Sequence, residues 1–156
     1  MGPLINDTQR EKVDGMVQRA VAAGATVVTG GKKVDGPGFF YEPTLITNVD
    51  PDSELAQEEI FGPVLAVLAY EDDDDAVRIA NNSIYGLSGG GVFGGHDRAL
   101  AIARRIRTGT MGINGGNYFG PDSPFGGYKQ SGVGREMGVA GLEEFLERKT
   151  LAAVIS

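Results

Sequence analysis

Helix-like and strand-like stretches alternate along almost the whole of this chain, and the alternation restricts it to an α/β fold. Asn6, Asp7 and Thr8 offer helix caps, and Val13, Met16, Val17, Ala20 and Val21 recur at the spacing of one helix face. Gly24 stops that helix. Thr26–Thr29 is a β-branched strand, and the glycines from Gly30 to Gly38 turn the chain toward Phe39-Phe40-Tyr41, which can pair back across the turn. Ser53 can cap a short helix through Glu58, Val64–Tyr70 reads as a buried strand, and Asp72–Asp75 places acid in the first turn of a helix over Ala76–Asn81. Leu87–Phe93 is a glycine-rich strand, Asp97 caps a helix with Ala99, Leu100, Ile102, Ala103 and Ile106 inward, and Thr110–Asn114 is a further strand. After a long loop over Gly115–Gly134 come a helix near Val139–Arg148 and a terminal strand, Leu151–Ile155. Strands separated by helices run parallel, so the expected architecture is a largely parallel sheet flanked by helices.

A length of 156 residues suits one domain with one core. The 25 glycines are about twice the usual share, so tight turns must be numerous. A net charge of −7 argues against a nucleic-acid partner, and the basic cluster Arg104, Arg105 and Arg107 lies among apolar helix residues. The longest clear apolar run is Val64–Tyr70, far below the roughly 18 residues of a membrane helix, and Met1 opens no signal-like segment. The expectation is a soluble, cytoplasmic protein without membrane contact. With no cysteine and a single histidine, His96, neither disulfides nor thiolate metal sites are available, and no metal is expected.

Three local patterns suggest chemistry and are set aside. Gly89-Gly90-Gly91-Val92-Phe93-Gly94 satisfies the dinucleotide pattern G-x-G-x-x-G, but its first glycine lies inside the strand and no Asp or Glu stands about 20 residues on to hold a ribose. Asp72–Asp75 lacks the spaced ligands and turn glycine of a calcium loop, so it reads as a solvated helix start. His96, between Gly95 and Asp97, reads as exposed and inert.

Two other segments carry more. Glu58-Glu59-Ile60-Phe61-Gly62-Pro63-Val64 offers a carboxylate that can accept hydrogen bonds from both hydroxyls of a ribose and a flat ring that can lie against a nicotinamide, unless Glu59 merely ends a surface helix and Phe61 fills the core. Ser123–Glu136, SPFGGYKQSGVGRE, is a glycine-hinged stretch with one aromatic and one carboxylate at fixed places. Together, in this order and spacing, the two segments resemble the signatures of NAD(P)-dependent aldehyde dehydrogenases. The resemblance covers essentially all of this chain and corresponds to the C-terminal part of the family's chain. It implies that Glu59 contacts the nicotinamide ribose, that Phe61 flanks the ring, and that Gln9 and Lys12 help to hold the same ribose as in some members, unless these two are simply solvated on one helix face. It also implies that Phe119 and Phe125 line the funnel through which an aldehyde enters, with Asn117 and Tyr118 beside it, unless both aromatics are ordinary core anchors of the loop. Glu136 is the candidate for a proton path to bulk water, for which a carboxylate must be partly desolvated. An ion pair with Arg135 or Lys129, or a charge at a helix N-terminus, is the structural alternative for Glu136.

The family's nucleophile is a cysteine, which attacks the aldehyde carbon before hydride passes to the nicotinamide, and this chain has none. Under the resemblance, residues 1–150 are the C-terminal part of the catalytic domain and 151–156 an oligomerisation strand of a homo-oligomer. The nucleophile and the cofactor domain would precede Met1. NAD or NADP then belongs to the complete enzyme, with weak or no binding by this chain, which alone is expected to oxidise no aldehyde. The rival readings are a noncatalytic assembly module that keeps the fold, and a weak nucleotide-binding domain using Glu59.

Overall fold

In the computed structural model, which describes residues 1–91 and 94–154, the first amphipathic segment forms helix α1, Asp7–Ala22. The Asn6 side chain caps it by accepting from the Gln9 amide at 2.8 Å, and the chain leaves it through Gly24 at φ +103°. Val13, Met16, Val17 and Ala20 are buried along one face, while Val21 stays exposed. That face rests on a core completed by Tyr41, Ile46, Val49 and Leu55.

Strand β1, Thr26–Thr29, pairs antiparallel with β2, Thr44–Thr47, and β2 pairs parallel with β3, Val64–Ala66. The sequence reading missed β2, although it is the central strand and carries the fully buried Ile46. The predicted pairing back across the turn is present as a bridge between Lys33 and Tyr41. Helix α2, Glu54–Gln57, crosses from β2 to β3, and its Glu54 carboxylate accepts two hydrogen bonds of 2.8 Å from the Arg19 guanidinium. Ser53 precedes α2 without capping it through its side chain. Helix α3, Asp73–Asn81, starts at Asp72, whose carboxylate accepts from the Asp75 amide. The aspartate run therefore is a helix start.

Residue contacts divide the chain into two compact units, Met1–Asn82 and Ser83–Ser156, where length alone suggested one core. In the second unit, β4, Ser88–Gly91, and β5, Thr110–Ile113, pair in parallel across helix α4, His96–Ala103. Ala99 and Ile102 are the buried apolar side chains of α4. A final helix, α5, covers Gly138–Glu143. The fold is thus α/β as expected, and among the described residues two of the three strand pairings are parallel, with the strands shared between two small sheets.

Several expectations need correcting. The strand read over Val64–Tyr70 contracts to Val64–Ala66 and is not buried, since Leu65 is 63% exposed. Asp97 sits in the first turn of α4, whose N-cap is Gly95. The last helix ends at Glu143, and Phe145 and Leu146 beyond it are exposed, so little of the apolar burial that stabilises a helix is present there. Leu151–Val154 is not a strand in this structure, and Ile155, the end of the expected terminal strand, lies outside the described residues. The same holds for Val92 and Phe93, the end of the predicted Leu87–Phe93 strand and part of the G-x-G-x-x-G segment. No helix among the described residues is long and apolar enough to cross a membrane.

Candidate functional site

The EEIFGPV segment is the turn between α2 and β3, and its backbone is unusual. Phe61 has φ +51°, in the left-handed region that a bulky residue enters only under constraint. Phe61 is 68% exposed, so it fills no core among the described residues. Two side chains of α1 fix the turn. Gly62 lies against Val13, so closely that an added Cβ would come within 2.6 Å of the Val13 methyl. The Gln9 amide nitrogen donates to the Ile60 carbonyl at 2.9 Å and to the Phe61 carbonyl at 3.2 Å. Downstream, the Pro63 carbonyl accepts from the Thr44 amide at 2.8 Å and ties the turn to β2. Glu59 and Lys12 are exposed. After the Arg19 hydrogen bond, the charge of Lys12 helps to hold the Glu54 carboxyl below its usual range.

In the second unit β5 ends in a turn with Asn114 at φ +49° and Gly115 at φ +84°, closed by the Gly116 amide on the Ile113 carbonyl at 2.8 Å. Asn117 and Tyr118 follow, both exposed, and the Tyr118 hydroxyl donates to the Asp122 carboxylate. That bond raises the phenol and lowers the carboxyl from their ordinary values. Phe119 and Phe125 meet edge to face, with centroids 5.3 Å apart and planes at 79°. Phe125 is joined in turn to Glu136 by a two-way backbone bridge, 2.8 and 2.7 Å. Phe125, Arg135, Glu136 and Glu144 border a groove of about 360 Å³.

The structure therefore brings Phe119, Phe125 and Glu136 together. Glu136 is exposed, so this unit does not supply the desolvation asked of a proton relay. Its alternative partner Arg135 is engaged elsewhere: the guanidinium donates to the carbonyls of Gly127 and Gly134 at 3.0 and 2.6 Å and lies 5.3 Å from the Tyr128 ring centroid. Lys129 donates to the Ser83 carbonyl at 2.8 Å. His96 is exposed at the start of α4. Among the described residues no group of three histidine or carboxylate side chains is placed to hold a metal. Sequence reasoning missed the Tyr118–Asp122 pair and the Gln9 clamp. No sequence signal points to the second, because Gln9 three residues after Asn6 has the pattern of a capping box.

The aldehyde dehydrogenase family profile matches residues 1–151. The chain belongs to the aldehyde dehydrogenase family. The mitochondrial aldehyde dehydrogenase of Leishmania tarentolae is 46% identical over 151 residues, which are 97% of this chain and 30% of that protein. The betaine aldehyde dehydrogenase of Bacillus subtilis is 43% identical, with 95% of this chain and 31% of the relative covered. Among solved structures, a Staphylococcus aureus betaine aldehyde dehydrogenase point mutant in complex with NAD+ superimposes with a TM-score of 0.86 at 44% identity, over 96% of this chain and 31% of its own. A Mycobacterium tuberculosis aldehyde dehydrogenase complexed with NAD+ gives 0.86 at 48% identity, over 93% and 30%. The chain thus spans about a third of the length of the family members it matches.

Proposed function

We propose that these residues form the C-terminal part of the catalytic domain of an NAD(P)-dependent aldehyde dehydrogenase, residues 1–150, followed by an oligomerisation element over 151–156. The observation that carries the reading is the contact of Phe119 with Phe125 and the bridge of Phe125 to Glu136, which join residues from two loop segments into one aromatic and acidic surface. In this reading Phe119 and Phe125 guide an aldehyde, with Asn117 and Tyr118 at the rim. Glu136 passes protons once the rest of the enzyme covers it.

The turn at Phe61 suits the nicotinamide half of NAD or NADP. Its ring is presented outward on a backbone held from two sides, and the exposed Glu59 carboxylate can accept from both ribose hydroxyls. Gln9 offers its amide oxygen as a further acceptor, because its nitrogen is already committed to two carbonyls, and Lys12 lies three residues further along the helix. Bound there, the nicotinamide would supply the hydride acceptor for aldehyde oxidation. The 156 residues contain no cysteine and hence no thiolate nucleophile, so on their own they oxidise no aldehyde, and with only the nicotinamide side of a cofactor site they bind NAD or NADP weakly or not at all. We place the complete enzyme in the cytoplasm as a homo-oligomer.

The test is a chimera in which this segment replaces its counterpart in the Bacillus subtilis relative. Glu59→Gln should weaken NAD+ positioning, and Phe119→Ala should raise KM for the aldehyde. Unchanged kinetics in both would refute the assignment. A second reading, a noncatalytic assembly module, is favoured by the exposed Val139, Leu142, Phe145, Leu146, Leu151 and Val154. Light scattering of the 156-residue chain checks it: a mass that rises with concentration and falls on deleting Leu151–Ile155 supports assembly through the tail.

A further inference from the structure

We propose that Gln9 is a positioning residue, whose amide holds the Phe61 backbone in its left-handed conformation and so sets the direction of the Phe61 ring and the Glu59 carboxylate. Its importance for the cofactor rests on the reading of this turn given above. Three observations carry the inference. First, both neighbours of the Gln9 side chain are carbonyl oxygens, Ile60 at 2.9 Å and Phe61 at 3.2 Å, which only the NH2 end of the amide can face. Both of its hydrogens are thereby used on consecutive carbonyls of the turn. Second, Gln9 stands three residues after the cap Asn6, where a glutamine ordinarily reaches back to the cap amide. The Asn6 half of that exchange is present, but the Gln9 side chain is directed across to residues 51 and 52 positions away. Third, the turn it reaches contains the positive φ of Phe61, +51°, a conformation that an exposed ring does not itself stabilise. Val13, one helical turn after Gln9, packs on Gly62, so one face of α1 grips three consecutive residues of the turn.

A direct contact with ribose through the Gln9 oxygen and a clamp through its nitrogen make opposite predictions. Gln9→Glu keeps an acceptor for a hydroxyl but sets a carboxylate against two carbonyls, and Gln9→Lys keeps a donor for the carbonyls. In the 156-residue chain, nuclear magnetic resonance of Phe61 (its amide–Hα coupling and the Hα–amide cross-peak pattern of positive φ) should show the left-handed state retained in Gln9→Lys and lost in Gln9→Glu. Phe61 remaining left-handed in Gln9→Glu would overturn the clamp. In the chimera described above, Gln9→Glu should raise the NAD+ dissociation constant about tenfold, the factor expected from losing two hydrogen bonds of modest net strength. Full NAD+ affinity in Gln9→Glu, with Glu59→Gln and Phe61→Ala both weakened, would refute positioning and leave the cofactor reading intact. Unaltered affinity in Glu59→Gln and Phe61→Ala would instead remove the cofactor reading and the positioning role with it, leaving the clamp to the resonance result.

Discussion

Replacing Phe61 separates the structural cost of its conformation from the use of its ring. At 68% exposure only about a third of the side chain is withdrawn from water, worth roughly 0.5–1 kcal/mol against the roughly 1.5–3 kcal/mol of a fully buried phenylalanine. Against this, holding a bulky L-residue at φ +51° costs roughly 1–2 kcal/mol, and asparagine avoids much of that cost through local hydrogen bonding. The two effects nearly cancel, so Phe61→Asn should leave the unfolding free energy of the 156-residue chain within about 1 kcal/mol of the parent or slightly raise it. Phe61→Val loses the same contacts and gains a β-branch in a disfavoured region, and should lie about 1 kcal/mol below Phe61→Asn. Urea unfolding followed by far-ultraviolet circular dichroism measures both differences. A loss of more than about 2 kcal/mol in Phe61→Asn would mean that the ring is a packing residue. The case for a presented ring would then fail at its first step.

Other predictions follow from the core, the loops and the charges. Ile46→Ala, at a fully buried position of β2, should cost about 2–5 kcal/mol, and Ile46→Val about 0.5–1.5 kcal/mol, by the same unfolding assay. Gly109→Ala would put a Cβ 1.6 Å from the Gly126 carbonyl oxygen, so Ser83–Ser156 should lose its amide protection from hydrogen exchange while Met1–Asn82 keeps its own. A double-mutant cycle on Phe119→Ala and Phe125→Ala should give a coupling of about 0.5–1.5 kcal/mol, and a value near zero would deny the edge-to-face contact. The Arg19 hydrogen bond holds Glu54 below its ordinary value, and those from Arg78 and then the Glu71 amide do the same for Asp75. Both carboxylates are depressed in the folded state, so their contribution is complete above the ordinary carboxylate range near pH 4 and is lost as pH falls through the folded values. Thermal melts should show Arg19→Met flattening this acid-side decline.

What the sequence reveals and what it hides divide along physical lines. Helix α1 was legible because a 16-residue amphipathic helix repeats its apolar face several times and announces its ends with Asn6 and Gly24. Strand β2 was not, because four residues, Thr44–Thr47, follow directly on an aromatic turn and a proline, and a run that short is defined by its neighbours. Val64–Tyr70 failed in the opposite way: its apolar residues match a buried strand, yet Leu65, Val67 and Tyr70 stay exposed, and only the three residues with a partner in β2 form a ladder. The candidate site repeats the lesson at the level of single side chains. Glu59, Phe61, Phe119, Phe125 and Glu136 stand out because their chemistry is visible in one letter each, whereas the meaning of Gln9 depends on where its amide points. A glutamine three residues after an asparagine cap is, in sequence, part of a capping box. Only the fold, by laying the turn after α2 across the start of α1, offers it two carbonyls in place of the cap amide and turns a helix-end residue into the support of an exposed aromatic ring.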